Sequence, residues 1–131
     1  MIMLGGGAFW FKSQSDDLLQ ATTDSRIRVT TPRAGDSISS PLSITGEARG
    51  TWFFEASFPV VLTDWDGLII AQGVAQAQSE WMTEEFVPFQ AALNFTKPNN
   101  GNPHGTLILQ RDNPSGLSQN DAAVEIPILF K

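Results

Sequence analysis

The chain has 131 residues, room for one domain with a core of its own and not for two. It has a formal net charge of -6, 17% charged residues and no cysteine. This excludes disulfides, thiolate nucleophiles, sulfur-ligated zinc and a lipid-bearing cysteine, and an acidic chain without a basic stripe repels nucleic-acid backbones. The grouped arginines Arg26, Arg28 and Arg33 are too few to make a phosphate-binding face.

Met1 to Phe11 is uncharged and apolar, and Lys12 follows. It is shorter than the roughly 20 residues that cross a bilayer, and it has neither a basic start nor a small-residue cleavage site. We expect residues 1–12 to be the trailing end of a membrane anchor that starts upstream; the other reading is an apolar tail that packs on the domain or is disordered. Residues 13–25 are rich in Ser, Gln, Asp and Thr and read as a polar linker, with at most a helical turn over Asp16 to Ala21. The domain is expected over 26–131.

From Arg26 the chain reads as short strands separated by turn chemistry. Ile27 and Val29 alternate with Arg26 and Arg28, and Thr31 to Asp36 carries the Pro and Gly of a turn. Leu42 and Ile44 alternate with Ser43 and Thr45 before Gly46, which weakens or bends the strand. Next comes a long alternating run. Trp52, Phe54, Ala56, Phe58, Val60 and Leu62 are predicted on the inner face, with Phe53, Glu55, Ser57, Val61 and Thr63 outside. Pro59 marks a bulge or an edge.

Asp64-Trp65-Asp66-Gly67 predicts a hairpin into Leu68-Ile69-Ile70-Ala71. Further inner rows are Phe89, Ala91, Leu93 and Phe95; Leu107 and Leu109; and Val124, Ile126, Ile128 and Phe130. Lys97 to Gly105 and Asp112 to Asp121 are predicted loops. About seven strands at hairpin spacing, with no helical period, predict an all-β fold: an immunoglobulin-like antiparallel β-sandwich, with a closed barrel as runner-up.

A catalytic set is hard to assemble. His104 is the sole histidine and sits between Pro103 and Gly105, so a serine triad or a zinc site lacks its partners. The carboxylates Asp64, Asp66, Glu84, Glu85, Asp112 and Asp121 fall in turns or at strand ends, where backbone bonding explains them; two across a cleft would be needed to hydrolyse a glycoside. Asp112, Asn113, Asn120 and Asp121 could close one loop around calcium, or bond turn amides, which we favour. No catalytic residue, metal site or cofactor is assigned.

The aromatics point to recognition. Phe53 falls on the outer face, Trp65 at a hairpin tip and Trp81 in an acidic, polar connection, and large rings presented from loops serve as anchors for sugars and peptides. The alternative is that Trp65 and Trp81 cap the ends of the sandwich. The candidate binding residues are Phe53, Trp65, Trp81, Asp112, Asn113 and Asp121.

Five groups of residues together resemble the bacterial spore-germination-associated immunoglobulin-like domain. They are Ile27-x-Val29-x-x-Pro32-x-x-Gly35 with Ser40-Pro41-Leu42, Gly50 to Val60, Trp81-Met82-Thr83 with Phe86-Val87-Pro88-Phe89, Asp112 to Gly116, and Ile126-Pro127. The resemblance covers Arg26 to Lys131. It implies an extracytoplasmic module of the bacterial envelope, tethered to the membrane or fused to other envelope domains, with no established enzyme activity and no established catalytic residues to carry over. The reading is a non-enzymatic, membrane-anchored module that binds an envelope protein or a cell-wall glycan and not nucleic acid. A structural spacer, or a carboxylate-dependent glycan or cell-wall hydrolase, is the alternative.

Overall fold

Trp52 and Phe58 pack edge to face, and Phe58 does the same with Phe89 at a ring separation of 5.0 Å. The elements around these rings come from a computed structural model that describes residues 21–131. The apolar segment 1–12 and residues 13–20 of the expected linker lie outside the described residues, as does nearly all of the turn expected over Asp16 to Ala21.

Among the described residues there are eight strands: β1 (Ile27–Thr31), β2 (Ser37–Ile38), β3 (Leu42–Arg49), β4 (Ser57–Asp64), β5 (Ile69–Ala77), β6 (Phe86–Leu93), β7 (His104–Gln110) and β8 (Ala123–Phe130). Short 3-10 turns occupy Gly50–Trp52 and Ser118–Asn120. β2, with two residues, is the strand the alternation does not show. The strand order is β1-β3-β6-β5-β4-β7-β8-β2, antiparallel except for β2 beside β8.

The sheet is continuous but folded over. β5 and β6 share only the pairs Gln76–Gln90 and Ala77–Phe89, whereas β3 and β6 pair along their whole length. Phe58 of β4 and Phe89 of β6 are not sheet neighbours, yet their rings touch, so the β1-β3-β6 limb lies across the core from the β5-β4-β7-β8 limb. This is the all-β architecture expected. Its outer strands, β1 and β2, do not pair with each other, so the sheet is not the closed barrel of the runner-up.

Period-two burial builds the core. On β6, Val87, Phe89, Ala91 and Leu93 are buried and alternate with exposed Pro88, Gln90 and Ala92. On β8, Val124, Ile126, Ile128 and Phe130 form the matching row. Burying side chains of this size contributes about 1.5–3 kcal/mol each. Gly46 has a packing role beyond bending a strand: a Cβ there would lie 2.2 Å from the Arg28 carbonyl oxygen and 2.8 Å from the Phe89 ring. Pro59 faces Val74 of β5, and on its other side the β4–β7 ladder begins only at Val60, so its missing N–H falls beyond the ladder.

Two predicted faces are corrected. Val61 and Thr63, expected outside, are buried, because β4 is an inner strand paired on both sides, by β5 and β7, and its second half is covered on both faces. The alternation placed Phe54 and Ala56 inside and Phe53 outside, but Phe53 is 4% exposed and Phe54 is 41% exposed. The strand does not begin until Ser57. Before it, the 3-10 turn at Gly50–Trp52 breaks the period of two, and Trp52 and Phe53 both enter the core in succession.

Candidate functional site

Phe54 is presented by a tight reversal. Its N–H donates to the Ser57 carbonyl at 2.9 Å, and the Ser57 N–H returns to the Phe54 carbonyl at 3.2 Å. The two residues between, Glu55 and Ala56, both have positive φ, 51° and 66°. A two-residue hairpin turn of this hand needs that conformation, usually from Asn or Gly. Side chains with a Cβ hold it at a cost of order 1 kcal/mol each. The reversal leaves the Phe54 ring in solvent against Trp81, with centroids 6.5 Å apart and planes at 72°. Exposed Met82 follows.

The connection that carries Trp81 and Met82 is pinned to the 3-10 turn. The Gly50 N–H donates to the Glu85 carbonyl at 3.2 Å, and Arg49 donates to the Glu84 carbonyl at 3.2 Å. A Cβ on Gly50 would fall 1.8 Å from the Thr83 carbonyl oxygen and 2.3 Å from that of Trp81, so only glycine allows this approach. Within the connection the Glu85 N–H donates to Thr83 Oγ1.

The Asp112–Asp121 loop closes the same end. The Asp112 N–H donates to the Trp52 carbonyl at 3.0 Å. Arg111 reaches the Thr51 carbonyl at 3.1 Å and the Asn120 carbonyl at 2.7 Å. Inside the loop, the Asn113 side-chain amide donates to the Leu117 carbonyl at 2.8 Å and to Asp121 Oδ1 at 2.7 Å. Ser115 Oγ donates to Asn113 Oδ1 and accepts from the Leu117 N–H and the Asn120 side chain. Asn113 and Asp121 are thus engaged with each other and with the loop backbone. Among the described residues no group of three or more His, Asp or Glu gathers to hold a metal ion.

Trp65 lies at the other end of β4. With about 3.3 Å per residue, the eight residues of β4 separate Trp65 from Phe54 by roughly 25 Å. The predicted residues therefore do not form one site: Trp81, Asp112, Asn113 and Asp121 share an end with Phe54, Trp65 stands alone, and Phe53 is in the core. At the Trp65 end the turn is held from within. Asp64 is buried, and its Oδ1 accepts the N–H groups of Asp66 at 2.9 Å and Leu68 at 3.0 Å. His104 opens β7 rather than sitting in the loop before it; its side chain is exposed, and its N–H donates to Asn102 Oδ1.

Two further groupings escaped the sequence. Arg28 and Arg49 both stand over the Phe86 ring, 3.7 and 4.1 Å from its centroid, and Arg28 also pairs with Glu47 at 2.9 Å. Cross-strand register between β1, β3 and β6 brings them together, and no local spacing announces it. Arg26 lies over Trp52 and pairs with Asp24 at 2.8 Å. The Arg26 side chain donates to the Asp24 carboxyl and holds its pKa below the ordinary value against the opposing effect of burial. This contact sits before residue 26, where Thr22 also donates its N–H to the Glu125 carbonyl.

Residues 26–118 match the family described as immunoglobulin-like domain of bacterial spore germination. No curated protein and no solved structure matches the chain.

Proposed function

Because the chain belongs to the family of immunoglobulin-like domains of bacterial spore germination, we propose that it is a non-enzymatic module that binds an envelope protein or a cell-wall glycan outside the cytoplasm. The observation that carries the binding role is the strained presentation of Phe54. Two residues of positive φ and a glycine-dependent close approach hold Phe54, Trp81 and Met82 together at one end. Strain of this kind persists where surrounding structure over-determines it, and it concentrates at functional positions. An aromatic pair with a flexible thioether beside it suits a sugar face or an apolar peptide side chain. The apolar run Met1 to Phe11 supports tethering at a membrane surface.

The test is retention of purified envelope proteins and of cell-wall fragments on the immobilised full chain. Phe54→Ser and Met82→Ser are expected to lower retention at least about tenfold, as removal of a central anchor does, while Trp65→Ser leaves it unchanged. Loss with Trp65→Ser alone would move the site to the opposite end. Absence of binding in both panels would leave the spacer reading.

A further inference from the structure

A strand edge left open is a template for another strand, and folds guard against it with charge, proline, short length or a covering segment. Three edges here are guarded. β1 carries Arg28 and follows Arg26, and β2 is two residues long. Along β8 the Glu125, Pro127 and Leu129 backbone is capped by Thr22, Gly35 and Asp36, and Pro127 has no N–H to offer.

The β5 edge is different. On the β6 side it pairs only at Gln76 and Ala77, and no strand lies along Ile69–Ala75 there among the described residues. The Gln78 N–H donates toward β6, to the Pro88 carbonyl, whereas that of Ala77 donates toward β4, to Ala56. With a period of two, the backbone groups of Gln72 and Val74 point to the open side. From Gly67 to Ser79 there is neither a charged residue nor a proline. Ile69 and Val74 are 54% and 50% exposed.

Acidic residues bracket this neutral stretch, Asp66 before it and Glu80, Glu84 and Glu85 after it, on a chain of net charge -6. In an antiparallel pairing of two copies, the Asp66 end of one would meet the Glu80 end of the other, like charge against like. We propose that the β5 edge accepts an extended segment of a partner protein as an added strand, apolar in its middle and basic at both ends. Main-chain bonds to Gln72 and Val74 supply affinity, and the flanking acids select the partner and its register. This surface is separate from the Phe54–Trp81 end and does not depend on it.

The probe is a terminally blocked peptide of three Thr-Val repeats with a lysine pair at each end, added to the isotope-labelled full chain. Amide shifts are expected to concentrate at Gln72 and Val74, with slowed hydrogen exchange there. The same peptide with glutamate in place of lysine is expected to bind at least about tenfold more weakly. Val74→Lys should weaken binding by a similar factor without lowering the unfolding midpoint, since the side chain faces solvent, and Val74→Thr should restore it. Phe54→Ser should leave peptide binding intact, which separates this outcome from the binding function above. Shifts centred elsewhere, or none at millimolar peptide, would overturn the proposal. So would a concentration-dependent dimer, seen by sedimentation and dissolved by Val74→Lys, because the occupant would then be a second copy.

Discussion

At one end of β4 the Asp64 carboxylate is buried and spends its Oδ1 on the amides of Asp66 and Leu68. At the other end the Phe54 ring stands in solvent beside two residues in the left-handed region. Both are departures from the usual distribution, since carboxylates are rarely buried and large rings rarely exposed. The first departure resolves locally: Oδ1 satisfies the donors of its own turn, and Oδ2 lies 3.5 Å from the Asn100 side-chain amide. The second does not, because the reversal at Glu55-Ala56 adds strain and leaves the Phe54 ring exposed against Trp81. A polar group that is buried and satisfied speaks for stability; an apolar group that is strained and exposed speaks for contact.

The sharpest way to break this comparison is to truncate neighbouring rings. Phe58→Ala removes a fully buried ring packed on Trp52, Phe53 and Phe89, and is expected to cost about 3–5 kcal/mol. Phe54→Ala should cost under about 1 kcal/mol, as surface truncations do. Urea unfolding of both variants checks this. A large loss at Phe54 would make it a packing residue and end its candidacy as a contact.

Asp64→Ala tests the opposite end. Two turn amides lose their acceptor, and the expected loss is about 1–2 kcal/mol with an unchanged denaturant slope. No loss would mean that water replaces the carboxylate and that Asp64 is available for another role.

The smallest effect concerns Asp24. Its folded pKa is lowered, mainly by the hydrogen bond from Arg26. A depressed acid contributes stability above its unfolded value, about 3.8, and loses it as the pH falls through the lower folded value. Because the Arg26 side chain is 40% exposed, the contribution should be under about 1 kcal/mol. Asp24→Asn should therefore lower stability slightly at neutral pH, and the gap from the native chain should close in acid. A gap that persists at low pH would show that packing, not charge, holds this segment.

The residues Phe89 to Leu93 and Val124 to Phe130 announced their strands and buried faces, because alternation over half-buried strands is a local pattern written residue by residue. β4 was legible as a strand from Phe58 on, but Val61 and Thr63 of its expected outer face are buried as well. The Asp64–Gly67 turn was legible for the same reason: Asp and Gly act on their own backbone. Phe53 and Phe54 were misassigned because a 3-10 turn and a Glu-Ala reversal shift the period, and neither residue type signals a left-handed turn. Gly50 hints at the break, but its need for contact with the Trp81 and Thr83 carbonyls is nonlocal.

The sequence by itself therefore determined the all-β class, the order of the strands along the chain and most of the core, since these follow from short-range pattern and composition. Only the tertiary structure decided which aromatic faces solvent, which loops share an end and which edge has no strand beside it among the described residues. Those depend on how the sheet folds at the β5–β6 junction, where the two limbs part and a neutral strand loses its neighbour.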